Sequence, residues 1–127
     1  MNRDGNGLSG LRVFLAEDYY AIAEALAMTL ERFGCRIVAK ASSAADAQAI
    51  ADDVDADCAL LDIDLGDGSC FPAAQRCRER GIPVIFLSGY DAPADLPPGL
   101  EDVPLLLKPV QAARVRQALV ALGNVRS

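Results

Sequence analysis

Short apolar runs alternate with longer amphipathic stretches along the chain. The runs at 11–16, 36–39, 58–61, 83–87 and 105–107 are rich in aliphatic residues, which is typical of buried β-strands. Between them, apolar residues recur at helical spacing. Strands that alternate with helices form parallel sheets covered on both faces, and right-handed crossovers favour a doubly wound arrangement. The pattern therefore predicts an α/β domain with a doubly wound, five-stranded parallel sheet.

Residues that start or end helices mark the boundaries of the amphipathic stretches. Asp18 can cap the first helix, and Gly34 can end it. Ser43 begins a second helix with a pattern that resembles a capping box. Pro72 suits the first turn of a third helix, and Gly81 suits its C-terminal end. We therefore expect a helix after each of the first three strands.

The segment between the fourth and fifth strands has a different composition. Pro93, Pro97, Pro98 and Gly99 lie close together there, and proline interrupts regular helix. We expect the fourth helix to be reduced.

The chain has 127 residues, which fits one domain. We expect a disordered tail at 1–10, a folded domain at 11–123 and a C-terminal tail at 124–127.

Polar residues follow four of the predicted strands directly. Glu17 and Asp18 follow the first strand, Asp62 the third, Ser88 the fourth and Lys108 the fifth. Taken singly, each has an ordinary explanation as a helix cap, a turn residue or a solvated charge. The carboxyl ends of parallel strands lie at one edge of the sheet, where ligands of doubly wound sheets bind. The joint occurrence of these polar residues at one edge therefore favours a functional site.

The residue types at this edge indicate a particular chemistry. Clustered carboxylates need a cation, and Mg²⁺ suits oxygen ligands of this kind. One carboxylate can then act as a nucleophile toward phosphorus, while Lys108 and Ser88 offset charge on the phosphoryl oxygens. We predict that Asp62 is this nucleophile, because it ends the third strand opposite the acidic pair and the lysine. Asp64 is its nearest competitor.

Composition restricts the possible functions. The net charge of −6 argues against a nucleic-acid surface. No apolar run reaches the roughly 18 residues that a membrane span needs, and no signal peptide is recognisable. The four cysteines form no C-x-x-C pair, and the absence of histidine argues against zinc binding and against Ser-His or Cys-His catalysis. We expect reduced thiols and a cytoplasmic location.

The ordered set of motifs resembles the receiver domain of two-component response regulators, from Leu11 to Leu122. The resemblance rests on four motifs, which are FLAED at 14–18, LLDIDL at 60–65, VIFLSGY at 84–90 and LLKP at 106–109. The resemblance implies a flavodoxin-like (βα)5 fold with strand order 2-1-3-4-5. The motif at 86–90 is also similar to the Phe-Ala-Thr-Gly-Tyr signature of the single-domain "FAT GUY" receivers, found mostly in alphaproteobacteria. Leu87 and Ser88 replace the Ala and Thr of that signature.

The resemblance also implies roles for individual residues. The ligands of a Mg²⁺ ion would be Glu17, Asp18, Asp62 and the backbone carbonyl of Asp64. Asp62 would be the phosphoacceptor, Ser88 the switch hydroxyl and Lys108 the phosphate-pairing lysine, followed by a cis Pro109. One departure concerns the family's aromatic switch position, which holds Leu105 here.

These features predict a stand-alone receiver that is phosphorylated by a sensor histidine kinase or a histidine phosphotransfer protein. It would signal by binding a downstream protein whose identity is unknown, without nucleic-acid or membrane binding and without acting as an enzyme.

Two alternatives stay open. Asp62-Ile63-Asp64 is similar to the nucleophile and general acid of haloacid-dehalogenase-like phosphohydrolases, although no acidic residue follows Lys108 as that family's metal site requires. The other alternative is a receiver-like interaction module that is never phosphorylated.

Overall fold

Five parallel strands form a single sheet in the order β2-β1-β3-β4-β5, which confirms the predicted fold. The computed structural model describes residues 8–89 and 96–126. The strands are β1 (Arg12–Ala16), β2 (Arg36–Ala41), β3 (Cys58–Asp62), β4 (Val84–Ser88) and β5 (Leu105–Leu107). The helices within the described residues are α1 (Tyr20–Arg32), α2 (Ala44–Ala51), α3 (Phe71–Glu79) and α4 (Ala112–Arg126).

The central strands β3 and β4 are buried along their whole length. Side chains of a strand point alternately to its two faces. In β3, Ala59 and Leu61 join the cluster that packs against α2 and α3. Cys58 and Leu60 join a second cluster, which packs against α1 and α4. Because helices cover both faces, these strands have continuous apolar sequences instead of alternating ones.

Most of the predicted helix boundaries are confirmed. Ser43 caps α2, because its hydroxyl accepts a hydrogen bond of 3.0 Å from the N–H of Asp46. Gly34 and Gly81 follow the ends of α1 and α3 with φ of 93° and 79°, a region that glycine adopts without a Cβ clash. Pro72 lies in the first turn of α3.

The predicted cap of α1 is wrong. The N-cap residue is Tyr19, and no side chain caps the helix. The Asp18 carboxylate instead lies with those of Glu17 and Asp62, with an oxygen of each within 4.8 Å of the others. The N–H of Tyr19 donates to Glu17 Oε2 at 3.2 Å. The acidic pair therefore faces the edge of the sheet rather than serving the helix end as a cap.

The connection between β4 and β5 is described from residue 96 onward, and residues 96–104 contain no helix. Leu100 and Val103 are buried in the cluster beneath α2 and α3. This part of the connection agrees with the predicted reduction of the fourth helix. Residues 90–95, including Tyr90 of the signature motif, lie outside the described residues.

The described chain extends beyond the predicted folded domain at both ends. Leu8 is buried in the cluster under α1 and α4, and the N–H of Gly10 donates to the carbonyl of Gly34 at 2.8 Å. At the other end, α4 continues to Arg126. The described residues thus include positions before 11 and after 123, and the division into two tails and one domain stays a prediction. None of the described helices is long and apolar enough to span a membrane.

Candidate functional site

Strand pairing brings the residues predicted for the site to one edge of the sheet. β1 and β3 pair in register up to the residues that precede Glu17 and Asp62. β3 and β4 pair through Asp62 itself. β4 and β5 pair up to Ser88 and the residue that precedes Lys108. Parallel strands therefore place four sequence-distant polar residues at the same level, as expected for this fold class.

Three carboxylates lie together at this edge. Glu17 and Asp62 are 2% and 3% exposed, respectively, and Asp18 is half-buried. One oxygen from each lies within 4.8 Å of the others. Charges of the same sign that are held this close and shielded from water repel each other strongly. The arrangement therefore requires a cation.

Lys108 supplies part of the compensating charge. Its ammonium Nζ donates to Asp62 Oδ2 at 2.6 Å and lies 2.8 Å from Glu17 Oε1. Burial alone would lower the pKa of Lys108, but the contacts with Asp62 and Glu17 outweigh burial and raise this pKa above its ordinary value. The backbone N–H of Lys108 donates to the carbonyl of Ser88 at 2.8 Å. The Lys108–Pro109 peptide bond is cis, as predicted.

Two buried carboxylate oxygens among the described residues have no hydrogen bond. They are Glu17 Oε1, which forms an ion pair with Lys108 Nζ at 2.8 Å, and Asp18 Oδ1. The pKa of Asp18 is raised above its ordinary value, mainly by burial and secondly by the adjacent Glu17. One ammonium cannot neutralise three carboxylates, and hard oxygen donors of this kind suit Mg²⁺. The residues present therefore fit the predicted metal ion.

The loop after β3 turns back beside the carboxylates. The N–H of Asp64 donates to Asp62 Oδ1 at 3.4 Å. The exposed Asp64 side chain accepts from the N–H of Gly66 at 3.0 Å, and the N–H of Leu65 donates to the carbonyl of Gly68 at 2.9 Å. Asp64 therefore lies beside the site, with its own carboxylate engaged in the turn.

Sequence reasoning missed two residues of this loop. Gly66 has φ of +85°, and a Cβ added there would lie 3.3 Å from Asp18 Oδ2. Asp67 binds the backbone of α2 through two hydrogen bonds. The Gly-Asp-Gly sequence at 66–68 is typical of a turn. It gives no sign of these contacts, because Asp18, Ala44 and Ala45 are distant in sequence.

Ser88, the predicted switch hydroxyl, and Leu105, which occupies the family's aromatic switch position, differ in their surroundings. Ser88 is 5% exposed at the end of β4. Leu105 is half-buried and packs against the cluster beneath α2 and α3. The switch positions are therefore occupied by a buried hydroxyl residue and a partly buried aliphatic residue that packs against the core.

Comparison with known proteins gives consistent matches. The family model described as the response regulator receiver domain matches residues 13–120. The REC domain of the PhyR response regulator from Erythrobacter litoralis is 27% identical, with a TM-score of 0.76 and coverage of 91% of each chain. A response regulator receiver protein from Sinorhizobium medicae is 25% identical, with a TM-score of 0.81 and coverage of 94% of this chain and 99% of that one.

A CheY-like receiver domain from Methylobacillus flagellatus is also 25% identical, with a TM-score of 0.74. That match covers 90% of this chain and 99% of the other. No curated protein sequence matches the chain.

Proposed function

The chain belongs to the response regulator receiver domain family, and on that premise we propose that Asp62 accepts a phosphoryl group. Receiver domains are signalling domains rather than classical enzymes. The observation that carries the proposal is the position of Asp62, whose buried carboxylate contacts Lys108 at 2.6 Å within the acidic cluster. Asp64, the competing carboxylate, is exposed and bound to its own loop.

The proposed reaction is an in-line transfer to the Asp62 carboxylate. A bond forms between an Asp62 oxygen and phosphorus, and the bond from phosphorus to the phosphohistidine nitrogen of the donor breaks. The Lys108 ammonium then offsets charge on the phosphoryl oxygens, and the Ser88 hydroxyl donates to one of them. Strand pairing supports these roles, because β3 and β4 pair through Asp62, and β4 and β5 pair up to Ser88 and the residue that precedes Lys108.

The metal in this proposal is Mg²⁺, held by Glu17, Asp18, Asp62 and the backbone carbonyl of Asp64. When bound, Mg²⁺ neutralises negative charge on the phosphoryl oxygens and on the acidic residues. Asp18 Oδ1, which is buried without a hydrogen-bond partner, supports this assignment, because buried polar atoms are rarely left without one.

The proposed partners follow from the chemistry of the acceptor. The phosphodonor would be a sensor histidine kinase or a histidine phosphotransfer protein in the cytoplasm. The phosphorylated chain would bind a downstream protein, without contacting nucleic acid or a membrane. The family match disfavours the phosphohydrolase alternative, whereas the interaction module that is never phosphorylated is an outcome of the test below.

The test is the intact mass of the protein after treatment with acetyl phosphate and Mg²⁺. Wild type and Asp64→Ala should gain the mass of one phosphoryl group, and Asp62→Ala should gain none. Asp64→Ala is the matched control, because it removes the neighbouring carboxylate without removing the proposed acceptor. A wild-type protein that stays unlabelled would favour the module that is never phosphorylated.

A further inference from the structure

Asp67 connects the loop after Asp62 to the first turn of α2. Its Oδ1 accepts a hydrogen bond of 2.6 Å from the N–H of Ala44, and its Oδ2 accepts one of 3.2 Å from the N–H of Ala45. The partners lie 23 and 22 positions earlier in the chain. Both N–H groups belong to the helix end that carries partial positive charge. The contact therefore joins two elements that are separate in sequence.

The opposite side of the same loop lines the acidic cluster. A Cβ on Gly66 would lie 3.3 Å from Asp18 Oδ2, so the backbone itself approaches that carboxylate. The N–H of Asp64 donates to Asp62 Oδ1. A hydrogen bond between Leu65 and Gly68 closes the turn between these contacts and Asp67. A shift of the loop away from α2 would therefore move the backbone that borders Asp18 and Asp62.

We propose that Asp67 is a positioning residue for the metal site, because it fastens the loop at 64–68 to α2 and so holds Asp64 and Gly66 against the acidic cluster. This inference rests on the proposed function of that cluster. Asp67 acts through the loop backbone and is not itself a ligand. The two N–H donors also lower the pKa of Asp67, which keeps it ionised and able to accept both bonds at neutral pH.

A purely structural role for Asp67 as a helix cap makes a different prediction. Ser43 caps the same helix by binding the N–H of Asp46, but it precedes α2 directly and does not belong to the loop at 64–68. Ser43→Ala therefore removes a cap from the same helix turn and leaves the fastening of the loop intact. It is the matched control for Asp67→Ala.

The experiment is a Mg²⁺ titration of the full chain. Binding is monitored through the backbone amide signals in nuclear magnetic resonance spectra. We expect Asp67→Ala to weaken Mg²⁺ binding about tenfold, as is typical when a residue that supports a metal ligand is removed. Ser43→Ala should leave the dissociation constant unchanged, although urea denaturation should show both variants to be less stable than wild type. Equal dissociation constants for Asp67→Ala and wild type, or equal losses in both variants, would overturn the proposal.

Amide hydrogen exchange of the metal-free protein gives a second readout. The amides of Leu65 and Gly66 should exchange faster in Asp67→Ala than in Ser43→Ala, and equal rates would contradict the proposal. Should Asp67→Ala not fold, Asp67→Asn replaces it, since Asn retains one acceptor oxygen for the two donors. It should weaken Mg²⁺ binding in the same direction by a smaller factor, and no weakening would overturn the proposal.

The titration also separates this inference from the proposed function. If wild type binds Mg²⁺ with signal changes around Asp62 and Asp67→Ala binds it equally well, only the positioning role fails. If wild type shows no Mg²⁺-dependent change around Asp62, both proposals fail.

Discussion

Asp18 is the least compensated charge of the site. Lys108 contacts Asp62 and Glu17 directly, whereas Asp18 Oδ1 is buried without a hydrogen bond. In the metal-free protein this carboxylate lies beside two others, and repulsion between like charges opposes folding. Residues that serve a binding site commonly reduce stability in this way.

Asp18→Asn should therefore have opposite effects on stability and on metal binding. Removing one negative charge at nearly constant shape should raise the free energy of unfolding of the metal-free protein by about 1 kcal/mol. The same change should weaken Mg²⁺ binding and slow labelling by acetyl phosphate. Urea denaturation in the presence of a chelator and labelling over a Mg²⁺ series measure the two effects.

Asp53→Asn is the control for this change, because it alters the same charge at an exposed position away from the cluster. It should leave Mg²⁺ binding unchanged. If Mg²⁺ affinity and labelling both survive Asp18→Asn, the assignment of Asp18 to the metal site is wrong.

Gly66 offers a second prediction at the residue scale. Gly66→Ala should destabilise the protein by about 1 kcal/mol, because φ of +85° strains any residue with a Cβ. It should also weaken Mg²⁺ binding, since the new Cβ would lie 3.3 Å from Asp18 Oδ2. Gly81→Ala is the matched control, with φ of +79° and, among the described residues other than its chain neighbours, no atom within 4 Å of the new Cβ.

Gly81→Ala should lower the free energy of unfolding by a similar amount and leave Mg²⁺ binding unchanged. Chemical denaturation and a Mg²⁺ titration of both variants provide the comparison. Equal Mg²⁺ affinities in the two variants would show that the loop at Gly66 tolerates a side chain beside Asp18.

Individual residues show what the sequence could and could not reveal. Glu17, Asp62, Ser88 and Lys108 were recognisable because each follows an apolar run, and parallel strands place such positions together. The role of Asp18 as a helix cap was predicted wrongly, because an acidic residue before a helix fits a cap and a metal ligand equally well. The contacts of Asp67 were not predictable, since they depend on how α2 packs beside a loop more than 20 residues later.

At the scale of elements, the end of β4 and the connection that follows it are the expected site of switching. Ser88 is buried at the end of β4, whereas Leu105 in β5 packs against the core and has no aromatic ring to rotate. A phosphoryl group adds charge and acceptor oxygens that can attract the Ser88 hydroxyl. Gly89 can absorb the backbone change that follows, because glycine adopts many conformations.

Phosphorylation should therefore change amide signals mainly between Ser88 and Leu100, and less around Leu105. Spectra of the protein with and without a phosphoryl mimic such as beryllium fluoride test this directly. The same addition to Asp62→Ala is the control, because the mimic then has no carboxylate to bind. Changes confined to the loop after Asp62 would contradict this account of the switch.

The elements themselves were largely predictable, and the differences have physical causes. β3 and β4 were recognisable from continuous apolar runs because they are buried on both faces. β2 extends two residues further than predicted, to Ala41, because pairing with β1 includes Lys40 and Ala41. The apolar pattern did not show this extension, since β2 is an edge strand whose side chains alternate between exposed and partly buried.

At the scale of the whole molecule, the two clusters on either side of the sheet bury all four cysteines, none of which forms a disulfide. Burial raises the pKa of Cys35 and of Cys77 from 9.0 to about 11. The pKa of the Cys70 thiol is also raised, and burial is the main cause. The native fold thus keeps these thiols protonated at pH values where an unfolded chain would begin to lose the protons.

The sign of the resulting pH dependence follows from linkage. A raised pKa in the folded state contributes stability that is fully present below pH 9.0 and is lost as the pH rises toward about 11. The free energy of unfolding should therefore fall across this range. Urea denaturation at several pH values measures the slope, which should be smaller in Cys35→Ala. An unchanged slope would show that the Cys35 thiol does not contribute to this pH dependence.

The most direct test of the central claim is to locate the phosphoryl group on the protein. Borohydride reduces an aspartyl phosphate to homoserine, and peptide mass spectrometry then identifies the converted position. After treatment with acetyl phosphate and Mg²⁺, the account predicts homoserine at position 62 and an unchanged aspartate at position 64. Homoserine at position 64, or no conversion at position 62 in labelled protein, would contradict it.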